Sequence, residues 1–194
     1  MTSYYGHSKT IVGRLLDPRG APIAGALIET SRTPGYSGAK TQAMAGPRTG
    51  ADGRFTLRLP AGAYSQGVIL SYRARLGDLV PAASRRLELT VHIGVSLKIS
   101  PRVSGVGRRI VFSGRLLGGP FPKGGKPLIL EARAGRSGWI EFNVVRADSH
   151  GRFHASYRFR FPGPVHYQFR ALCEHEADYP YATGASAVIG VFER

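Results

Sequence analysis

Apolar positions recur at every second residue in short runs, and no stretch keeps the 3.6-residue spacing of an amphipathic helix. These runs predict strands over residues 10–16, 26–31, 53–59 and 67–75 in the first half of the chain. In the second half they predict strands over 87–100, 109–117, 127–133, 139–147, 152–161, 165–174 and 187–192. Turn sequences separate them: Asp17-Pro18-Arg19-Gly20, Asp52-Gly53, Gly118-Gly119-Pro120, Lys123-Gly124-Gly125 and His150-Gly151. Many short strands broken by glycine and proline point to an all-β sandwich or barrel.

The pattern is duplicated. Gly13-Arg14-Leu15-Leu16 returns as Gly114-Arg115-Leu116-Leu117, and Leu27-Ile28-Glu29 as Ile129-Leu130-Glu131. Asp52-Gly53-Arg54-Phe55 has a counterpart in His150-Gly151-Arg152-Phe153, and Tyr72-Arg73-Ala74 in Phe169-Arg170-Ala171. Four blocks in one order at near-constant offset predict two related sandwich domains in tandem. The segment 76–83 interrupts the strand pattern, so the expected domains are 1–80 and 81–194. Each Asp-Gly or His-Gly suits a hairpin turn in which glycine takes a positive φ, and each following phenylalanine can plug the core end.

Ile11-Val12-Gly13-Arg14-Leu15-Leu16-Asp17, Gly20, Pro22-Ile23-Ala24-Gly25-Ala26, Asp52-Gly53-Arg54-Phe55 and Leu59-Pro60-Ala61-Gly62-Ala63-Tyr64 together resemble the carboxypeptidase regulatory-like family. That resemblance, over roughly residues 9–75, implies a transthyretin-like β-sandwich with an accessory, adhesive or structural role and no catalytic residues to carry over. The second half is similar to Ig-like modules of bacterial surface proteins, through Trp139, Gly151-Arg152-Phe153 and Tyr179-Pro180-Tyr181-Ala182.

Charge modifies this picture only partly. The 194 residues hold 27 Lys and Arg against 12 Asp and Glu, a formal net charge of +15. Such an excess invites a polyanion. However, the arginines alternate with apolar residues, as in Tyr157-Arg158-Phe159-Arg160-Phe161, and form no run of four, so solvated strand faces are the first reading and nucleic acid is not expected. No stretch reaches the length of a membrane helix, and Met1–His7 does not have the form of a signal peptide. An extracellular or envelope location is expected through the resemblance, with the chain as a piece of a longer protein.

Catalytic signatures fail. Gly184-Ala185-Ser186-Ala187-Val188 lacks the last glycine of a nucleophile elbow, and Lys123-Gly124-Gly125-Lys126-Pro127 lacks the frame of a phosphate loop. His150, His154 and His175 have no metal-ligand spacing, and Glu174, Glu176 and Asp178 form no calcium loop. An isopeptide crosslink would need Asn143, the only asparagine, beside Lys98 or Lys126 with Glu131 as the acid. The lone Cys173 sits in a strand pattern and reads as a buried thiol. No catalytic residue, cofactor or metal is expected. Candidate ligand-binding residues are Tyr179 and Tyr181, on a turn-like stretch placed near Trp139, and Tyr36 in the long loop 33–44. Rings with polar neighbours stack on sugar faces; capping of the sandwich end is the alternative for Tyr179 and Tyr181. The expected function is a non-enzymatic structural or adhesive module, or else a carbohydrate- or polyanion-binding one, with a surface protein or glycan as partner.

Overall fold

The computed structural model describes residues 1–75, 77–160 and 163–194, and among them every regular element is a β-strand. The chain forms two compact units, Met1–Val91 and His92–Arg194. The first contains β1 (Thr2–Tyr4), β2 (Lys9–Arg14), β3 (Glu29–Pro34), β4 (Gln42–Met44), β5 (Arg54–Leu59), β6 (Gln66–Tyr72) and β7 (Ala83–His92). One sheet runs in the order β1-β7-β6-β3-β4 and the other pairs β2 with β5. The buried faces carry Ile11, Leu57, Leu59, Val68, Leu70, Leu89 and Val91, an aliphatic core.

The second unit contains β8 (Gly94–Ser100), β9 (Val103–Ser104), β10 (Arg109–Leu117), β11 (Lys126–Ala134), β12 (Ile140–Ala147), β13 (Arg152–Arg158), β14 (Val165–Cys173), β15 (Gly184–Ala185) and β16 (Ile189–Glu193). Its larger sheet has the order β12-β11-β14-β16-β9, with β15 on β14, and its smaller sheet is β13-β10-β8. Here the core is aromatic. Phe112 of β10 meets Phe142 of β12 and Phe169 of β14 at 5.5 and 5.2 Å between ring centroids, so the rings tie one sheet to the other.

The two strand orders are the same once β1 is matched to β9, β2 to β10, β3 to β11, β4 to β12, β5 to β13, β6 to β14 and β7 to β16; β8 and β15 are additions in the second unit. The duplication extends to single hydrogen bonds. Leu15 N–H donates to Gly53 C=O at 2.9 Å, and Leu116 N–H to Gly151 C=O at 2.8 Å. Arg14 Nε donates to Asp52 C=O, and Arg115 Nε to His150 C=O. Gly53 and Gly151 both have φ of 76°, and a Cβ on either would press on the carbonyl of Leu15 or Leu116. Gly13 pairs with Phe55 and Gly114 with Phe153, each ring lying over the glycine where a Cβ would stand. The all-β architecture in two sandwich units expected from the sequence is therefore the observed one.

The boundaries differ in informative ways. The predicted strand 87–100 is two strands, β7 and β8, because its alternation passes unbroken through Ile93 while the pairing partner changes from β6 to β10. β7 pairs with β6 from Ala83 onward, so residues 81–91 belong with the first unit and the division falls after Val91 rather than after residue 80. Loop 33–44 is shorter than predicted: β3 continues to Pro34, and Gln42–Met44 pair with Arg32–Thr30. Leu76, where the expected boundary segment begins, and Phe161, where one predicted strand ends, lie outside the described residues.

Candidate functional site

Alternation on β11 and β14 puts Glu131, Arg133, Gln168 and Arg170 on the face of the larger sheet turned away from the aromatic core, since Leu130, Phe169 and Ala171 are buried. Register sets Glu131 opposite Arg170 and Arg133 opposite Gln168. Arg170 Nε lies 2.5 Å from Glu131 Oε2, and Arg133 Nε donates to Gln168 Oε1 at 2.6 Å. After β11 the chain turns through residues 134–137, where Ser137 N–H donates to Ala134 C=O and Ala134 N–H to Ser137 Oγ. This turn brings Trp139 back over the sheet. Its ring centroid is 4.5 Å from the Arg133 guanidinium carbon and 4.4 Å from that of Arg170.

The result is a half-buried indole against two guanidiniums, each anchored to the sheet by its Nε. Cation–π attraction of roughly 0.5–1 kcal/mol per pair at such sites holds the group together. The terminal Nη nitrogens of both arginines make no protein hydrogen bond among the described residues. An apolar ring with adjacent guanidinium donors suits a ligand that offers a flat C–H face and carboxylate or sulfate oxygens.

The tyrosines stand elsewhere. Tyr179 and Tyr181 are each only 1 % exposed. Tyr179 O–H donates to Gly118 C=O at 2.6 Å, and Tyr181 O–H to Gly119 C=O at 3.4 Å. Of the two readings, the structure favours capping of the sandwich end over an exposed sugar platform. Tyr179 lies beside Lys126, where β11 begins, whereas Trp139 sits beyond its other end. Seven strand steps, roughly 23 Å, separate Lys126 from Arg133, so these tyrosines and Trp139 do not form one site. Tyr36, 37 % exposed, lies in the connection from β3 to β4 of the first unit, where its C=O accepts from Ala39 N–H. Sequence reasoning missed Arg133, Arg170 and Gln168 as binding residues, and named Glu131 only as the acid of a crosslink. Glu131–Arg133 and Gln168–Arg170 each occupy i and i+2, a signal for one strand face, but nothing in the sequence declares that β11 and β14 are neighbours.

Other groups have structural partners. Lys126 is fully buried, its Nζ 2.6 Å from Glu176 Oε2 and 5.2 Å from the centre of the Tyr179 ring. Asn143 sits on β12 opposite Leu130, and the acid beside Lys126 is Glu176. Cys173 is buried, and loss of solvation pushes its thiol up to about 11, with Lys126 opposing. Asp148 Oδ1 accepts from Arg152 N–H and His150 N–H at 2.8 Å each, which lowers its carboxyl below the usual range. Among the described residues no three His, Cys, Asp or Glu side chains gather as a metal-ligand group.

No protein-family model matches the chain, and no curated protein matches it. Solved structures with similarity include the Yersinia pseudotuberculosis adhesin InvE, at 13 % identity and a TM-score of 0.42, covering 99 % of this chain and 56 % of that one. The Escherichia coli adhesin FdeC follows at 15 % identity and 0.37, covering 100 % and 61 %. The N-terminal four Ig domains of Dscam1 isoform 7.44 give 13 % and 0.42, covering 100 % and 42 %. This chain thus spans little more than half of the InvE structure. None of these likenesses carries a function to it.

Proposed function

We propose that the chain is a non-enzymatic adhesive module of a bacterial secreted or cell-surface protein, and that it holds an acidic glycan on the Trp139 face. The carrying observation is the indole lying against Arg133 and Arg170, whose terminal nitrogens have no protein partner among the described residues. The net charge of +15 favours the approach of such a ligand. On this reading the first unit is a carboxypeptidase regulatory-like sandwich that carries and spaces the second. Structural spacing alone is the second reading, favoured by the repeated hairpin bonds of the two units.

Titration with a sulfated oligosaccharide tests it. Binding should weaken steeply as salt rises, since these charges are partly exposed. Trp139→Ala and Arg133→Ala should each lower affinity about tenfold, while an uncharged oligosaccharide of equal length binds far less. Unchanged affinity in both variants would remove this face from consideration. Absence of binding by the parent chain would leave the spacing role.

A further inference from the structure

The first unit has an opening that its counterpart closes. On β7 the core-facing positions are Val91, Leu89, Leu87, Arg85 and Ala83. Burial falls along this row: Val91 and Leu89 are buried, Leu87 is half-buried, and Arg85 and Ala83 are exposed. The two sheets part here and leave a cleft of about 330 Å³ between β2–β5 and β6–β7. Ile11, Leu15 and Leu70 form its floor, and the half-buried rings of Phe55 and Tyr72 flank it. In the second unit the matching edge, Val111–Leu117 of β10, is paired along its length with β8, a strand the first unit lacks, whose Ile99 is buried. In the first unit, among the described residues, β2 pairs only with β5, and the connection after β6 leaves Leu79 and Val80 at 94 % and 78 % exposure.

Arg85 is the anomaly. It occupies a core-facing position in the wall of an apolar cleft, and among the described residues its side chain makes no hydrogen bond or ion pair. Arg14 also borders the cleft, with its Nε on Asp52 C=O, and among the described residues no acidic side chain lines it. A volume within the roughly 300–1,000 Å³ of small-molecule sites, apolar walls with two rings, and an unpaired guanidinium at the mouth define a selective combination.

We infer that this cleft is a binding site for a small amphiphilic carboxylate, its apolar tail between the sheets and its carboxylate on Arg85. The ligand tail supplies for the first unit what β8 supplies for the second, apolar cover beside the core edge of the hairpin. The site is separate from the Trp139 face and independent of the glycan reading.

The test uses the whole chain and decanoate, below its micelle concentration, as the probe. Decanoate should bind and shift the amide resonances of Tyr72, Phe55 and Leu87. Acetate, without a tail, and decyltrimethylammonium, with the opposite charge, should bind at least tenfold more weakly. Arg85→Gln should lower decanoate affinity about tenfold, the loss of a charge-assisted bond. Ala83→Trp, which fills the mouth from an exposed position, should abolish binding while the circular dichroism of the fold stays unchanged. Equal binding of decanoate and decyltrimethylammonium would overturn the inference. So would an unaltered affinity in Arg85→Gln, shifts confined to the second unit, or no binding by the parent chain.

Discussion

Ile11 and Phe112 occupy one position of the duplicated hairpin, 101 residues apart, and their cross-strand partners are Leu57 and Ala155. One unit fills this layer with two branched aliphatics, the other with a large ring against a methyl group. Each pair holds eight side-chain carbons, distributed differently, as expected where packing tolerates exchange among hydrophobic side chains but not voids. The ring at Phe112 then recruits Phe142 and Phe169, and Phe142 in turn meets Tyr157 at 5.4 Å, so the second core is a connected aromatic cluster. Among the described residues the buried core side chains of the first unit are all aliphatic, and its sheets part at the cleft. Identical hairpin bonds therefore support two different interiors.

The strongest way to break this comparison is to remove the ring. Phe112→Ala should cost about 3–5 kcal/mol, since both sheets lean on it, whereas Ile11→Ala should fall near the lower end of about 2–5 kcal/mol because the open cleft lets its neighbours relax. Trp139 is the single tryptophan, so its fluorescence in a denaturant titration reports the second unit, and amide resonances report the first. Equal costs would show the aromatic cluster to be energetically ordinary.

A methyl group on the paired glycines sharpens the same contrast. Gly13→Ala strikes first the half-buried Phe55 ring and should cost about 1–3 kcal/mol. Gly114→Ala strikes buried Phe153 and also the Ser96 carbonyl of β8, a strand the first unit lacks, and should exceed about 3 kcal/mol. A smaller effect at Gly114 than at Gly13 would contradict the packing described.

The buried lysine separates the units in another way, for the first core has no buried charge of this kind among the described residues. Glu176→Gln leaves the Lys126 ammonium without its counterion. Because Glu176 is itself half in solvent, the cost should lie between the roughly 0–1 kcal/mol of exposed pairs and the 3–5 kcal/mol of buried ones. Lys126→Met, which removes the charge that needs pairing, should cost less than Glu176→Gln. The reverse order in thermal unfolding would show the pair to be a net source of stability.

The smallest effect expected is with pH. Cys173 is held as the neutral thiol up to about 11, above its ordinary value of 9.0. Above pH 9 the unfolded chain loses this proton while the folded one keeps it, so stability should fall between pH 9 and about 11. Cys173→Ala should flatten that fall, and alkylation of the native thiol should be slow at pH 8 and become fast in denaturant. Rapid native alkylation would place the thiol at the surface.

Much of this fold was legible because its signals are local. Residues 109–117 were predicted as a strand and are β10 in full, since alternation and the flanking glycines act within one segment. The repeated Gly-Arg-Leu-Leu and Gly-Arg-Phe blocks marked the duplicated hairpin, because a positive-φ turn and a ring over a glycine restrict which residues fit. Other features were not legible, because they depend on a distant partner. Alternation from Leu87 to Ser100 carries no mark at Ile93, where the strand passes from one sheet to another. Tyr179 and Tyr181 look like exposed rings on a polar turn until the carbonyls of Gly118 and Gly119 accept their hydroxyls.

By itself, then, the sequence determined the strand periodicity, the turns and the twofold repetition, all consequences of backbone geometry and of which side chains a pleated surface accepts. Tertiary structure alone decided which strands are neighbours. That choice sets Trp139 on Arg133 and Arg170, buries Lys126 against Glu176, and leaves the Arg85 side chain without a partner among the described residues at the mouth of a cleft. Trp139 on Arg170 and Lys126 on Glu176 join residues far apart in the chain, and their energies depend on burial and distance that no local pattern encodes.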